Sequence, residues 1–173
     1  MRVRVEPVPG MGMGLVADED IAAGTPIMQY TGVVKTTREE YSTDYTFGIT
    51  HLCKAFVIDA MDAGNEARFA NHSCQPSCYA LVLESEDGPQ LWLIAGDKGV
   101  KNGDWITIDY QWTCEYGRDP KPCLCGEDRC RGFLHRVVPE ARRSRSNDQE
   151  PEVLTDPTPS EHDLPNRIRV RLP

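Results

Sequence analysis

Long hydrophobic runs are absent from this sequence of 173 residues. A membrane-spanning helix needs ~20 consecutive, mostly apolar residues, and no segment approaches that length. A secretory signal is not recognisable either, since the first ten residues contain two arginines and two prolines. We therefore expect an intracellular protein that contacts no membrane.

Basic residues are also fewer than acidic residues. The 27 acidic and 19 basic side chains give a formal net charge of −8. Domains that hold nucleic acid through its phosphates are usually basic, so direct nucleic-acid binding is not expected. An acidic chain suits a cationic partner, although a solvated acidic face is the more common reason for such a balance.

The apolar residues show little helical periodicity. Short β-rich segments alternate with turn residues, as in the predicted hairpin of Tyr79–Leu83 and Gln90–Ala95 and in the alternating segment Trp105–Ile108. A length of 173 residues allows one domain with a sizeable core. The sequence thus predicts a mostly β domain over residues 1–112, with residues 35–44 as a short helix or loop.

The composition changes after Trp112. Residues 113–136 lack apolar periodicity and are rich in cysteine, glycine and charge, so something other than a hydrophobic core must fold them. Residues 137–173 are dominated by Arg, Ser, Asp, Glu and Pro, which predicts a disordered tail. Within this tail, residues 167–171 alternate in the manner of an edge strand.

Seven cysteines, an odd number in a chain without a signal peptide, favour metal binding or free thiols over disulfides. Three of them form Cys123-x-Cys125-x4-Cys130 in a glycine-containing loop. Thiolates at this spacing are typical of zinc, which takes four tetrahedral ligands with sulfur at ~2.3 Å. The fourth position is left to another residue or to water, and reduced surface thiols are the simpler alternative.

A dense polar block, Asn71-His72-Ser73-Cys74, lies between apolar segments, where each buried polar group needs a partner. Three further blocks accompany it in order: Gly12-Met13-Gly14-Leu15, Asp109-Tyr110, and the cysteine segment, which continues as Cys130-Arg131-Gly132. Over about residues 4–135, this series resembles the SET-domain protein lysine methyltransferases that carry a post-SET zinc segment.

The resemblance implies the SET fold, in which small sheets of short strands form a pseudoknot, followed by a zinc-stabilised post-SET loop. It implies that Tyr110 is the catalytic tyrosine, assisted by Tyr45. It also implies that Cys74 is the fourth zinc ligand, beside Cys123, Cys125 and Cys130. The residues that the resemblance places along S-adenosylmethionine are Met11, Gly12, Met13, Asp44, Tyr45, Thr46, Arg68, Phe69, Asn71, His72, Tyr110 and Leu124.

The implied reaction moves a methyl group from the cofactor to a lysine amine, so positioning and desolvation do most of the catalysis. A lysine with a pKa of ~10.4 must first lose its proton, which costs roughly 4–5 kcal/mol at pH 7. A narrow aromatic channel disfavours the ammonium form. The resemblance therefore predicts a protein-lysine methyltransferase. A basic histone tail as its substrate suits the acidic chain and implies a nuclear location.

Two finer predictions concern substrate and product. The residues from Asp109 to Trp112, with the cysteine segment, look most like the histone H3 lysine-36 branch of the family. Ile108 stands where the family usually has Phe or Tyr, which favours di- or trimethylation over monomethylation. The competing function is a catalytically silent SET module that binds a peptide or acts as a scaffold. A zinc-dependent nucleic-acid binder is disfavoured by the charge.

The remaining conspicuous residues are assigned to packing. We expect the tryptophans and methionines outside these motifs to lie in the core and the isolated cysteines to be small packing residues. The residues concerned are Met28, Cys53, Met61, Cys78, Trp105, Trp112 and Cys114.

Overall fold

The computed structural model describes residues 2–36, 45–51, 54–85, 88–113 and 121–136. Of the segment expected to be a short helix or loop, Lys35 and Thr36 belong to a strand, and the rest lies outside the described residues. Asp44, Cys53 and Cys114 also lie outside them, as does the predicted tail of residues 137–173.

Strands joined by turns make up most of the described chain, which confirms the predicted mostly β fold. The strands are β1 (Val3–Val8), β2 (Gly12–Ala17), β3 (Pro26–Gln29), β4 (Val33–Thr36), β5 (Thr46–His51), β6 (Lys54–Asp59), β7 (Asn71–His72), β8 (Cys78–Ser85), β9 (Gly88–Ala95), β10 (Trp105–Ile108), β11 (Trp112–Thr113) and β12 (His135–Arg136). The described residues contain one short 3-10 helix, Glu66–Phe69. None of their helices is long and apolar enough to cross a membrane.

A four-stranded sheet in the order β1-β2-β10-β7 carries most of the predicted motifs. Strands β1 and β2 form an antiparallel hairpin, from Val3 opposite Ala17 to Val8 opposite Gly12. The bend of this hairpin passes through Gly10 and Gly12, whose φ angles of 77° and 80° lie in the left-handed region that glycine enters without steric cost. The glycine motif therefore begins at a tight turn and continues as strand β2.

Strand β10 joins this hairpin to the polar block. It lies antiparallel to β2 and parallel to β7, with Thr107 opposite Asn71 and Ile108 opposite His72. Parallel neighbours must come from segments well separated in sequence. The pairing therefore brings the polar block beside the strand that leads into Tyr110.

Two three-stranded sheets complete the body, in the orders β3-β9-β8 and β4-β6-β5. The predicted hairpin is present as β8 and β9, paired from Cys78 opposite Ala95 to Ser85 opposite Gly88. Strand β6 is the centre of the other sheet, because it pairs antiparallel with both β4 and β5. This last sheet positions the segment that begins at Tyr45.

The hydrophobic core fills the space between these sheets. Among the described residues, every buried apolar side chain lies between Leu15 and Ile108. The largest that are fully buried are Leu15, Val16, Cys78, Leu91, Leu93 and Ile106. Because fully burying a leucine or isoleucine contributes ~1.5–3 kcal/mol, these side chains account for much of the stability of the body. The prediction that Cys78 packs as a small apolar residue is confirmed.

Two of the residues expected in the core are instead exposed. Trp105 retains 39% of its accessible surface and Met61 retains 38%. Side chains of a strand alternate between its faces. The two isoleucines of β10 point into the core, so Trp105 points outward. Met61 follows the end of β6 in a turn. By contrast, Met28 is half-buried and packs against the core.

Residues 121–136, which we call the zinc loop, form a separate small unit beyond β11. The loop doubles back on itself through an isolated bridge between Pro122 and Phe133. The Cys123 N–H donates to the Gly132 carbonyl at 2.9 Å, which closes the same turn. Its end returns to the body as β12, which pairs parallel with β11.

Candidate active site and metal centre

Four cysteine sulfurs from two distant segments converge at one end of the molecule. The Sγ atoms of Cys74, Cys123, Cys125 and Cys130 all lie within 4.8 Å of one another. Cys74 Sγ lies 3.8 Å from Cys123 Sγ and 4.0 Å from Cys130 Sγ. Tetrahedral zinc with sulfurs at ~2.3 Å requires sulfur–sulfur distances of ~3.8 Å. The four cysteines therefore fit a structural zinc ion.

Burial and hydrogen bonding act in opposite directions on these thiols. Burial raises the pKa of the Cys74 thiol and raises that of Cys123 to about 12, so their thiolates need a cation nearby to form at neutral pH. Backbone N–H groups point at two of the sulfurs, with Arg131 N at 3.5 Å from Cys74 Sγ and Gly132 N at 3.4 Å from Cys130 Sγ. Such donors stabilise thiolate charge.

The zinc loop lies against the glycine bend of the first hairpin. A methyl group at the Cβ position of Gly10 would lie 3.7 Å from Leu124 Cδ1, so the Leu124 side chain lies close to the bend. The side chain of Asn71 donates to the carbonyl oxygen of Met13 at 3.0 Å. The bend is thus held by the polar block on one side and by the zinc loop on the other.

A cavity of about 380 Å³ opens between these segments. This volume is in the range of small-molecule sites. Three residues assigned to the cofactor line it: Met11, Asn71 and His72. Cys125 and Glu127 of the zinc loop form part of its wall. Further lining residues, none of them assigned to the cofactor from the sequence, are Val8, Leu15, Ser73, Gln75, Ser77, Asp104, Trp105, Ile106 and Thr107.

His72 and Tyr110 meet although 38 positions separate them. The backbone N–H of Tyr110 donates to His72 Nδ1 at 3.2 Å, and the two ring centroids are 5.4 Å apart. The Tyr110 hydroxyl donates to the carbonyl oxygen of Ala70 at 3.2 Å. Burial lowers the pKa of His72, so at neutral pH its ring is uncharged and can accept this hydrogen bond. His72 of the polar block and Tyr110 are thus in direct contact.

Aromatic rings lie beside Tyr110, and a second aromatic pair forms at Tyr45. Its ring centroid lies 5.2 Å from that of Trp112, and Tyr45 and Phe69 pack edge to face at 6.1 Å. The Tyr30 hydroxyl donates to the backbone carbonyl of Tyr45 at 3.0 Å, which fixes the start of that segment. Burial, with a further contribution from Tyr45, raises the pKa of Tyr110 to about 12. The phenol therefore stays protonated at physiological pH and acts as a hydrogen-bonding group.

Arg68 supports this aromatic cluster. Its guanidinium lies 4.8 Å from the centroid of Phe69 and 5.7 Å from that of Tyr45. It also donates to the carbonyl oxygens of Ala60 and Met61 at 3.0 and 2.9 Å. Arg68 and Phe69, assigned to the cofactor, are thus joined to the aromatic cluster and are not among the described residues that line the 380 Å³ cavity.

The remaining assigned residues lie at the edges of these two groups. Gly12 and Met13 begin β2 at the glycine bend. Thr46 begins β5 opposite Asp59 of β6, next in sequence to Tyr45. The structure therefore divides the assigned residues between the cavity, the glycine bend and the aromatic cluster, with Tyr110 and His72 where the groups meet.

Two ionic features of the site were not predicted. Arg131 donates to both carboxylate oxygens of Asp109. Glu127 accepts from Ser73 Oγ and from Gln75 Nε2, both at 3.3 Å. The sequence offers one signal for the first of these features. An acidic residue, Asp109, precedes Tyr110, and a basic residue, Arg131, follows Cys130. Nothing in the local pattern shows that the two charges meet.

Comparison with protein families and known proteins agrees with this geometry. The model of the SET domain family matches residues 12–111. The histone-lysine N-methyltransferase set-2 of Caenorhabditis elegans is 41% identical over 132 residues, which cover 72% of this chain and 9% of that protein. SETD1B of Homo sapiens is 37% identical over 131 residues, covering 70% of this chain and 6% of that protein. The chain thus spans a small part of the curated relatives' length.

The expected likeness to the histone H3 lysine-36 branch is not supported. A relative from Aspergillus oryzae, 35% identical over 131 residues, bears the name histone-lysine N-methyltransferase, H3 lysine-4 specific. The match covers 70% of this chain and 11% of that protein. The residues that suggested the lysine-36 branch surround the zinc loop and Tyr110, so they describe architecture that is shared more widely and do not identify a target.

Solved structures are similar as well. The crystal structure of KRYPTONITE with mCHH DNA, an H3(1-15) peptide and SAH superposes with a TM-score of 0.68 at 30% identity, covering 77% of this chain and 29% of that one. A second KRYPTONITE complex, with mCHG DNA and SAH, gives the same TM-score at 29% identity and the same coverage. The family match spans more than half of the sequence, from Gly12 through the polar block to Tyr110. This chain belongs to the SET domain family.

Proposed function

We propose that this protein transfers methyl groups from S-adenosylmethionine to a lysine side chain of a histone tail. The observation that carries the proposal is the convergence at Tyr110, where the phenol donates to the Ala70 carbonyl and the backbone N–H donates to His72. This convergence supports a role for one neutral hydroxyl that lies beside aromatic rings and next to His72, which lines a cavity of small-molecule size. Relatives named as histone-lysine N-methyltransferases, and KRYPTONITE complexes that hold SAH, support it.

The cavity and the glycine bend fit the cofactor. Asn71 and His72 offer polar groups beside the apolar Met11, and Leu124 adds apolar surface from the zinc loop. S-adenosylmethionine, when bound, supplies an electrophilic methyl group on a positively charged sulfonium. Tyr45, Thr46, Arg68 and Phe69 would then border the path from the cavity into the aromatic cluster.

The aromatic cluster favours loss of the proton from the substrate lysine. An ammonium loses much of its hydration beside Tyr45, Phe69 and Trp112, and desolvation lowers its pKa. Deprotonation in water at pH 7 costs roughly 4–5 kcal/mol, so a lower pKa in the channel raises the fraction of reactive amine. The protonated Tyr110 hydroxyl then orients the amine, and exclusion of water protects the reaction.

The four cysteines hold zinc in a structural role. A closed set of four thiolates leaves no coordination position for substrate, so the metal stabilises the loop and has no part in the reaction. Because Leu124 lies between two of the ligands in sequence and close to the glycine bend, zinc also holds this side chain beside the cofactor site.

We propose the histone H3 tail as substrate, with lysine-4 as the first target to test. The acidic chain, at −8, suits a basic tail. One relative is named as H3 lysine-4 specific, and the peptide in a KRYPTONITE complex spans histone residues 1–15. A chromatin substrate implies a nuclear location. The KRYPTONITE complexes also hold DNA, but the charge of this chain still predicts that it makes no direct nucleic-acid contact.

A radiolabelled methyl-transfer assay tests the function. Purified zinc-loaded protein is incubated with labelled S-adenosylmethionine and core histones, nucleosomes, or H3 peptides that contain either lysine-4 or lysine-36. We expect label on H3 and on the lysine-4 peptide. Label on the lysine-36 peptide alone would reject the proposed target. Calorimetric binding of the cofactor without transfer to any substrate would favour the silent peptide-binding module.

A further inference from the structure

Arg131 makes the most extensive set of polar contacts in the zinc loop. Its Nη2 donates to Asp109 Oδ1 at 2.7 Å and its Nη1 donates to Asp109 Oδ2 at 3.1 Å. The side chains are 28% and 14% exposed, so this ion pair is largely shielded from solvent. Two parallel charge-assisted hydrogen bonds fix orientation as well as distance. The pair therefore holds the loop and the Asp109 segment in one relative position.

On the loop side, Arg131 is tied to the metal centre. It follows Cys130 directly, and its backbone N–H lies 3.5 Å from Cys74 Sγ. Its side chain also donates to the carbonyl oxygens of Phe133 and Leu134, both at 3.3 Å. These contacts require the loop to be folded around the sulfurs. The position of the guanidinium thus depends on the zinc loop having its closed conformation.

On the other side, Asp109 controls a strained turn next to Tyr110. Its Oδ1 atom accepts the backbone N–H of Gln111 at 3.0 Å. Gln111 has a φ of 53°, a left-handed value that a residue with a side chain rarely adopts. Residues in such conformations persist where surrounding contacts hold them, often at functional sites. The carboxylate that Arg131 binds is therefore the one that holds the backbone on the far side of Tyr110.

We propose that the Asp109–Arg131 ion pair is a positioning device that makes the alignment of Tyr110 depend on the folded zinc loop. The loop holds Arg131, Arg131 orients the Asp109 carboxylate, and the carboxylate holds the turn that fixes Tyr110 against His72. Neither residue touches substrate in this scheme. The inference rests on the proposed function for its catalytic consequence, while the mechanical link can be tested without activity.

The first test is a double-mutant cycle with Asp109→Asn, Arg131→Gln and the double variant. The matched control is Lys101→Gln, which removes a well exposed ion pair with Asp20 of similar length, 2.9 Å. For each zinc-loaded protein, zinc content, cofactor Kd, and kcat and KM for an H3 peptide are measured. We expect each single variant to keep its zinc and its KM while kcat falls about 10- to 100-fold, with no further loss in the double variant.

The second test uses amide hydrogen exchange of peptides covering residues 108–113. Removing zinc from the wild-type protein with a chelator should speed exchange there. In Asp109→Asn, exchange should already be fast and zinc removal should add little, whereas Lys101→Gln should behave as wild type. Arg131→Lys keeps the positive charge but cannot bind both carboxylate oxygens through two nitrogens. Its exchange rate and its kcat should therefore fall between those of the wild type and Arg131→Gln.

The outcomes separate the two proposals. A wild-type protein that transfers no methyl group but shows the expected exchange pattern would reject the proposed function and keep the link. An active wild type in which both single variants keep full kcat, or in which the two losses multiply in the double variant, would overturn the link. A fall in kcat that occurs only in variants that have lost zinc would also overturn the link. The same holds if amide exchange in Asp109→Asn matches that of the wild type.

Discussion

The β body and the zinc loop are built on different physical principles. Among the described residues, every buried apolar side chain lies between Leu15 and Ile108, in the body. In the zinc loop, Leu124 and Phe133 leave 56% and 46% of their surface exposed. The body can fold by burying apolar surface, whereas the loop depends on four sulfurs and an ion pair. Metal and charge should therefore govern the half of the site that the loop supplies.

Breaking the metal centre should have the largest effect on function. We expect Cys123→Ser to lose zinc and to retain less than about 1% of methyl-transfer activity, because metal binding supplies the folding free energy of such loops. The body should keep its β circular-dichroism spectrum. Zinc analysis and the transfer assay measure the change.

The control for this variant is Cys78→Ala, which removes a buried sulfur outside the zinc set. It should retain zinc and activity. Equal loss of zinc in both variants would mean that general misfolding, and not the missing ligand, explains the result.

Breaking the core should produce the opposite pattern. Leu93 is fully buried between β3 and β8, and Leu93→Ala should lower the free energy of unfolding by about 2–5 kcal/mol. The chains that remain folded should bind zinc and turn over normally. Urea denaturation measures the first effect, and zinc per folded chain measures the second. Leu93→Met, which conserves volume, should cost less than ~1.5 kcal/mol; an equal cost would contradict the assignment of this site as a tightly packed core.

A smaller effect is expected where the two regions touch. Leu124 is exposed and lies close to the glycine bend, so Leu124→Ala should change the free energy of unfolding by less than ~0.5 kcal/mol. The Kd for the cofactor should rise about 3- to 10-fold, which corresponds to ~0.7–1.4 kcal/mol. Phe133→Ala, on the same loop, is the control and should leave this Kd unchanged. Calorimetry that finds equal affinity in both variants would remove Leu124 from the cofactor site.

The smallest expected effect on turnover concerns the product. Ile108 is buried at 4% exposure and carries no polar atom, and we predict that the wild type forms di- or trimethyl-lysine. Ile108→Tyr adds a hydroxyl that can hold water, so the product should shift toward monomethyl-lysine at a cost of about 1–3 kcal/mol in stability from overpacking. Mass spectrometry of the peptide reads the product. Ile108→Val should leave the product state unchanged, and a wild type that stops at monomethyl-lysine would contradict the prediction.

The sequence predicted the fold class and the meeting of the motifs because these depend on local patterns and on a family resemblance. Short alternating segments predicted the β8–β9 hairpin, and the resemblance brought Cys74 to the three loop cysteines. The sequence did not predict that Trp105 faces outward, because the alternation of a four-residue strand does not show which of its two faces the core covers. The two predicted domain boundaries, after residue 112 and after residue 136, stay predictions.

The ion pair between Asp109 and Arg131 could not be predicted for a different reason. Its two members are 22 positions apart, and their meeting depends on how the zinc loop folds back onto the body. No periodicity or motif spacing encodes such a contact. The strained Gln111 turn was also missed, because glutamine carries no sequence signal for a left-handed φ.

The central claim is that Tyr110, at the junction of the two regions, orients the substrate amine. The most direct measurement compares the wild type with Tyr110→Phe in the methyl-transfer assay and in cofactor calorimetry. General acid–base and orienting groups typically contribute about 10²–10⁴-fold to rate, so turnover should fall by at least about 100-fold while cofactor Kd stays within about 3-fold. Turnover equal to that of the wild type would contradict the account.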